Sequence, residues 1–143
     1  MAEITVELIK TLREKTNAGM MDCKAALKEA GGDLAEAEIV LRKKGIASAD
    51  KKASRATSEG VISSRIDADA KTGVLVEVNC ETDFVAKNEN FQSFVEGLVN
   101  HVAEGDAVDT LDELLAQKYV GDPTLTVEEV VKAKVGALGE NMT

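Results

Sequence analysis

The sequence predicts an α+β protein: an N-terminal three-helix bundle followed by a partial α/β core with a β-hairpin and packed helices. Three observations carry this expectation. Apolar residues recur at helical spacing through residues 1–45, with Gly and Asn at the breaks. Two β-branched runs follow, "GVISSRIDA" and "GVLVEVNC", joined by the turn-forming "DADAKTG". Beyond them the chain returns to helical periodicity. The boundary is expected in the small, polar and basic segment that follows residue 45.

The first helix takes its apolar stripe from Ile4, Leu8, Ile9 and Leu12. It ends at "TNAG", where Asn17 and Gly19 tolerate positive φ. A second helix runs from about Met20 to Ala30 and stops at Gly31-Gly32. The third opens at "DLAE", with Asp33 as cap and Glu36 three residues on, and is expected to break at Gly45. "IASADKKASRATSEG" reads as a short helical extension and then a linker. In the hairpin, Val61, Ser63 and Arg65 alternate with Ile62, Ser64 and Ile66, and Val74, Val76 and Val78 share one face. A helix of about Asn88 to Glu104 places Phe91, Phe94, Val95, Leu98 and Val102 on one side. "LDELLAQ" and "TVEEVVKAKVGAL" read as two more helices, with Thr126 capping the second and Pro123 in the turn between them. Two strands alone make a marginal sheet, so a third strand or a further subdomain is expected after Thr143.

Composition excludes several classes of function. The chain has 143 residues and a net charge of −9, placed unevenly. Residues 1–45 balance eight basic against eight acidic groups, whereas residues 58–143 carry six basic and seventeen acidic groups. So acidic a second part repels phosphate backbones, which argues against direct nucleic-acid binding there. Cys23 and Cys80 are the only cysteines, with no C-x-x-C and a single His, which makes neither a disulfide framework nor a zinc site. The start "MAEITVELIK" lacks the apolar core of a signal peptide, and no apolar stretch approaches the ~20 residues of a membrane span. A cytoplasmic, reduced protein without metal or prosthetic group is expected.

Catalytic constellations are missing. His101 sits amid the polar positions of its helix and reads as a solvated surface residue. Ser-His-Asp or Cys-His catalysis would have to rest on it. Neither G-x-x-x-x-G-K-[ST] nor G-x-G-x-x-G occurs. Glu81 and Asp83 read as a solvated turn, and the two cysteines as small buried thiols. Met20 and Met21 point about 100° apart on a helix. The residues alone therefore suggest one methionine in the core and one outside as an adaptable contact. Most unusual is Phe84. The chain has three Phe, one Tyr and no Trp, yet "TDFVAK" places a Phe on a turn, out of step with the Phe91/Phe94/Val95 stripe. Thr82 and Asp83 offer oxygens to cap that turn. Phe84 is either tucked under the hairpin or held outside for a partner.

"LREKTNAGMMDCKAAL" (12–27) and "EVNCETDFVAK" (77–87) closely resemble the two signatures of the bacterial elongation factor Ts family, and "GENM" resembles its Gly-Glu-Asn after the last helix of the first core half. The resemblance covers the whole chain. It implies that residues 1–54 form a bundle of the ubiquitin-associated type with its linker, and that 55–143 form the first, incomplete half of the core. It implies guanine-nucleotide exchange on elongation factor Tu, with no enzyme chemistry and no cofactor of its own. Asp83 and Phe84, with Thr82 beside them, would push into the GTPase domain and disturb its nucleotide-bound Mg²⁺. Arg13, Met20 and Met21 would grip the same domain, with a further contact at Leu138 and Gly139. The alternative is a module that docks on elongation factor Tu without accelerating exchange.

Overall fold

The computed structural model describes residues 3–143. The stretch read for a leader thus includes Met1 and Ala2, which lie outside the described residues. The chain forms two compact units: one runs through Lys52 and includes Lys132–Gly139, the other comprises Ala53–Val131 and Glu140–Thr143. All of 55–143 is expected in the second unit. The chain instead returns Lys132–Gly139 to the first.

In the first unit, α1 (Val6–Thr16) starts at Thr5, whose hydroxyl accepts from the Leu8 N–H, and ends at Asn17 in the left-handed conformation, φ 56°. Next, α2 (Met20–Glu29) follows Gly19. Asp33 then caps α3 (Leu34–Ala49) by accepting from the Glu36 N–H at 2.8 Å. Leu12, Ala18, Cys23, Ala26, Leu27 and Ala37 are buried together, and Ile4, Leu8, Ile9, Leu34, Val40 and Leu41 pack on them. Gly45 does not end α3 as expected. The helix runs on to Ala49, because tertiary packing overrides the low helix propensity of one glycine. Gly45 lies against Gly136 of α7 (Val127–Leu138), so closely that a Cβ on Gly136 would collide with the Gly45 backbone.

In the second unit, β1 (Glu59–Ile66) and β2 (Gly73–Cys80) pair antiparallel, Glu59 opposite Cys80 and Ile66 opposite Gly73. Val74, Val76 and Val78 turn inward, as their shared face predicts, and Ile62, Ile66 and Leu75 lie exposed on the other face. A one-turn helix, α4 (Asp83–Ala86), leads into α5 (Glu89–Glu104), which is capped by Asn88. Phe91, Phe94, Val95, Leu98 and Val99 are the buried stripe of α5. Next comes α6 (Leu111–Ala116), opened by a capping box between Thr110 and Glu113.

Where a turn was expected around Pro123, the chain forms a second hairpin, β3 (Lys118–Tyr119) with β4 (Asp122–Thr126). Pro123 is tolerated there because a two-stranded ribbon has free edges that need no N–H donor. Thr126 caps α7 as expected: its hydroxyl accepts from the Glu129 N–H, and its own N–H donates to the Glu129 carboxylate. At the end of the chain Thr143 exchanges both main-chain hydrogen bonds with Asn79, at 2.7 and 3.1 Å, and Met142 bridges Cys80. The last residues therefore pair with β2.

His101 contradicts its reading as a surface residue. It is 2% exposed and stacks on Tyr119, ring centroids 5.5 Å apart. Its Nδ1 accepts from the Val120 N–H at 3.0 Å, so Nε2 carries the proton and donates to Gln117 Oε1 at 2.9 Å. His101 lies seven residues after Phe94, on the buried stripe. Its polarity concealed that position.

Candidate functional site

The turn after β2 is built to display Phe84. Thr82 is extended (φ −125°, ψ 155°), and its side-chain oxygen accepts from the Val85 N–H at 3.4 Å. This is the capping expected of Thr82, and it opens α4. Successive residues on a helix point about 100° apart. Ala86 is buried and Val85 half-buried, which leaves Asp83 and Phe84 facing solvent. Phe84 is 80% exposed. Lys87 donates to Asp83 Oδ2 at 2.8 Å across one helical turn. That hydrogen bond and the Lys87 charge hold the Asp83 carboxyl below its usual range.

The turn is tied down from behind by the end of the chain. Glu140 Oε1 accepts from the Glu81 and Thr82 N–H groups at 3.2 and 3.0 Å, and its Oε2 accepts from the Thr82 hydroxyl at 2.7 Å. Glu81 returns the contact: its Oε1 accepts from the Asn141 N–H at 2.7 Å and lies 3.5 Å from Arg55 Nη1. The Asn141 amide donates to the carbonyls of Ala53 and Arg55. The Cys80 thiol donates to the Thr82 carbonyl at 3.3 Å. Burial, with the Glu140 carboxylate adding to it, raises the pKa of that thiol. The motif "GENM" was visible in the sequence, but nothing in it showed that its Glu and Asn meet a turn some 60 residues earlier.

The first unit carries the other expected residues. Arg13 lies exposed in the last turn of α1. Met20 and Met21 open α2 and are 46% and 74% exposed. The expectation from residue chemistry that one of them enters the core is not met, because Cys23, Ala26 and Leu27 fill the inward positions of α2. Gly19 caps this helix without a side-chain hydrogen bond. Leu138 ends α7 half-buried, and exposed Gly139 follows at φ +77°, a left-handed position suited to glycine.

Among the described residues no group of three or more His, Cys, Asp or Glu is placed to hold a metal ion, and both cysteines are free and buried. Both ring nitrogens of His101 are committed to hydrogen bonds. No helix of the described residues is long and apolar enough to cross a membrane.

Comparison with known proteins bears on the same residues. A family described as Elongation factor TS matches residues 81–143, which include both the Phe84 turn and the Glu140 segment. A protein of Nostoc sp. named Elongation factor Ts is 51% identical over 99% of this chain and 44% of its own length. One from Solibacter usitatus is 43% identical over the whole of this chain and 88% of its own, and one from Clostridium novyi is 47% identical over 97% and 45%. The chain thus spans less than half of the Nostoc and Clostridium relatives and most of the Solibacter one. On sequence identity and on the extent of that last match, the chain belongs to the elongation factor Ts family.

Proposed function

We propose that the chain promotes guanine-nucleotide exchange on elongation factor Tu in the cytoplasm. In this reading Asp83 and Phe84 act as a wedge against the site of the nucleotide-bound Mg²⁺, and Arg13, Met20, Met21, Leu138 and Gly139 supply docking surface. The observation that carries it is the exposure of Phe84 on a capped turn. A solvated Phe gains nothing for the isolated fold, so its position is best explained by a partner. Mg²⁺ bridges the nucleotide phosphates to a GTPase, and loosening its supports raises the nucleotide off-rate. By linkage, a factor that prefers the empty GTPase weakens nucleotide binding by the same ratio. The process breaks no covalent bond, which accords with a non-enzymatic role.

The test is stopped-flow release of a fluorescent GDP analogue from elongation factor Tu, with and without the chain. Phe84→Ala is expected to slow catalysed release by roughly tenfold, the equivalent of about 1.4 kcal/mol, while weakening complex formation much less. A chain that binds elongation factor Tu yet leaves GDP release at its spontaneous rate would be a docking module. That result would remove the wedge mechanism.

A further inference from the structure

We propose that Glu140 is a positioning residue: its carboxylate fixes the turn that presents Asp83 and Phe84, and so sets the aim of the wedge. The inference rests on the exchange reading for its consequence and on the hydrogen bonds alone for its geometry. A carboxylate only accepts. Glu140 uses one oxygen for two successive backbone N–H groups, those of Glu81 and Thr82, and the other for the Thr82 hydroxyl. That hydroxyl has a single proton. Donating it to Glu140 directs an oxygen lone pair toward the Val85 N–H, which is the bond that opens α4. Glu140 therefore acts on Phe84 through Thr82. Phe84 sits between the two groups so held, the Thr82 backbone and the Val85 amide.

The Glu140 carboxylate is itself placed by a reciprocal contact, Glu81 Oε1 accepting from the next backbone amide, Asn141 N–H. Each of the two segments thus offers a carboxylate to the other's backbone. With both in place the turn is ordered before any partner arrives, and docking need not order it. Without Glu140 the Glu81 and Thr82 amides lose their acceptor and the Thr82 hydroxyl is free to rotate. The wedge then regains about one residue's backbone freedom, which corresponds to roughly 5- to 30-fold in the rate of any step that needs it aligned.

The test compares Glu140→Ala, Glu140→Gln and Thr82→Val. In the free chain, Glu140→Ala should raise hydrogen exchange at the Thr82 and Val85 amides by roughly tenfold or more, while Val95 and Leu98 in α5 hold their protection. Glu140→Gln keeps an oxygen over the two backbone amides and should retain most of the protection. Thr82→Val, which removes only the hydroxyl, should expose Val85 and spare the Thr82 amide. Should Glu140→Ala fail to fold, Glu140→Asp, whose carboxylate is one methylene short of the turn, should raise exchange at the same two amides in smaller measure. Unchanged exchange at Thr82 and Val85, or acceleration of α5 in step with them, would overturn the positioning role.

In GDP release, Glu140→Ala should slow the catalysed rate and leave the Kd for nucleotide-free elongation factor Tu within about twofold. Added to Phe84→Ala it should change the rate by less than about twofold, because both act through one side chain. Independent, multiplying losses would mean that Glu140 does not work through Phe84. A Phe84→Ala chain with a full release rate would count against the exchange reading itself. The hydrogen-exchange comparison would then decide the positioning role alone.

Discussion

The two regions expected to meet a partner are displayed in different ways. Met20 and Met21 stand at the start of a helix whose cap is a glycine without a side-chain hydrogen bond. Their thioethers are flexible and polarisable, which suits a surface that adapts to what it meets. Phe84 is a rigid ring on a turn held by the Thr82 cap, the Glu140 carboxylate and the Cys80 thiol. A compliant patch can add affinity over many arrangements. A fixed ring can push in one direction, and the hydrogen bonds that fix it are made within its own unit. The difference teaches that exposure alone does not describe a contact residue, since what holds the side chain decides whether it can dock or act.

The strongest test of this contrast uses two Phe residues of one unit. Phe91 is fully buried and Phe84 is 80% exposed. Phe91→Ala should cost about 3–5 kcal/mol in urea denaturation, and Phe84→Ala less than about 1 kcal/mol. Equal losses would return Phe84 to the core and end the contrast. In the other unit, Gly136→Ala drives a methyl group into the Gly45 backbone and should destabilise by about 1–3 kcal/mol. A neutral result would mean that α3 and α7 yield there, and that the bundle bearing the Met pair is softer than its packing suggests.

Met20→Ala with Met21→Ala should weaken binding to elongation factor Tu by roughly 1–3 kcal/mol, measured by calorimetry, with the melting curve preserved. Binding lost only in step with unfolding would make the pair structural. The smallest effect belongs to the Asp83–Lys87 pair. Because Asp83 is held below its usual range, its contribution to stability is present above the ordinary carboxylate pKa and is lost as pH falls through the lowered one. Both groups are exposed, so solvent and salt screen the pair. Lys87→Met should leave the melting temperature unresolved from the parent at neutral pH, and a clear shift would show that the pair helps to hold the turn.

The sequence by itself determined the elements whose signals are local. Caps at Asp33, Thr82 and Thr126, the break at Asn17 and the apolar stripe of α5 depend on residues within a few positions of one another. The misfit of Phe84 with that stripe was equally local, and it marked the turn as a place to look. Tertiary structure decided the rest. Gly45 continues a helix because Gly136 lies against it, and His101 is buried because Gln117 and Val120 satisfy both its nitrogens. Glu140 reaches Thr82 only in the folded chain. In each case the partner lies 16 or more residues away, and several present a backbone N–H, which looks the same at every non-proline position of a sequence. Local spacing cannot reveal such a partner, because it exists only once the fold has brought the two segments together.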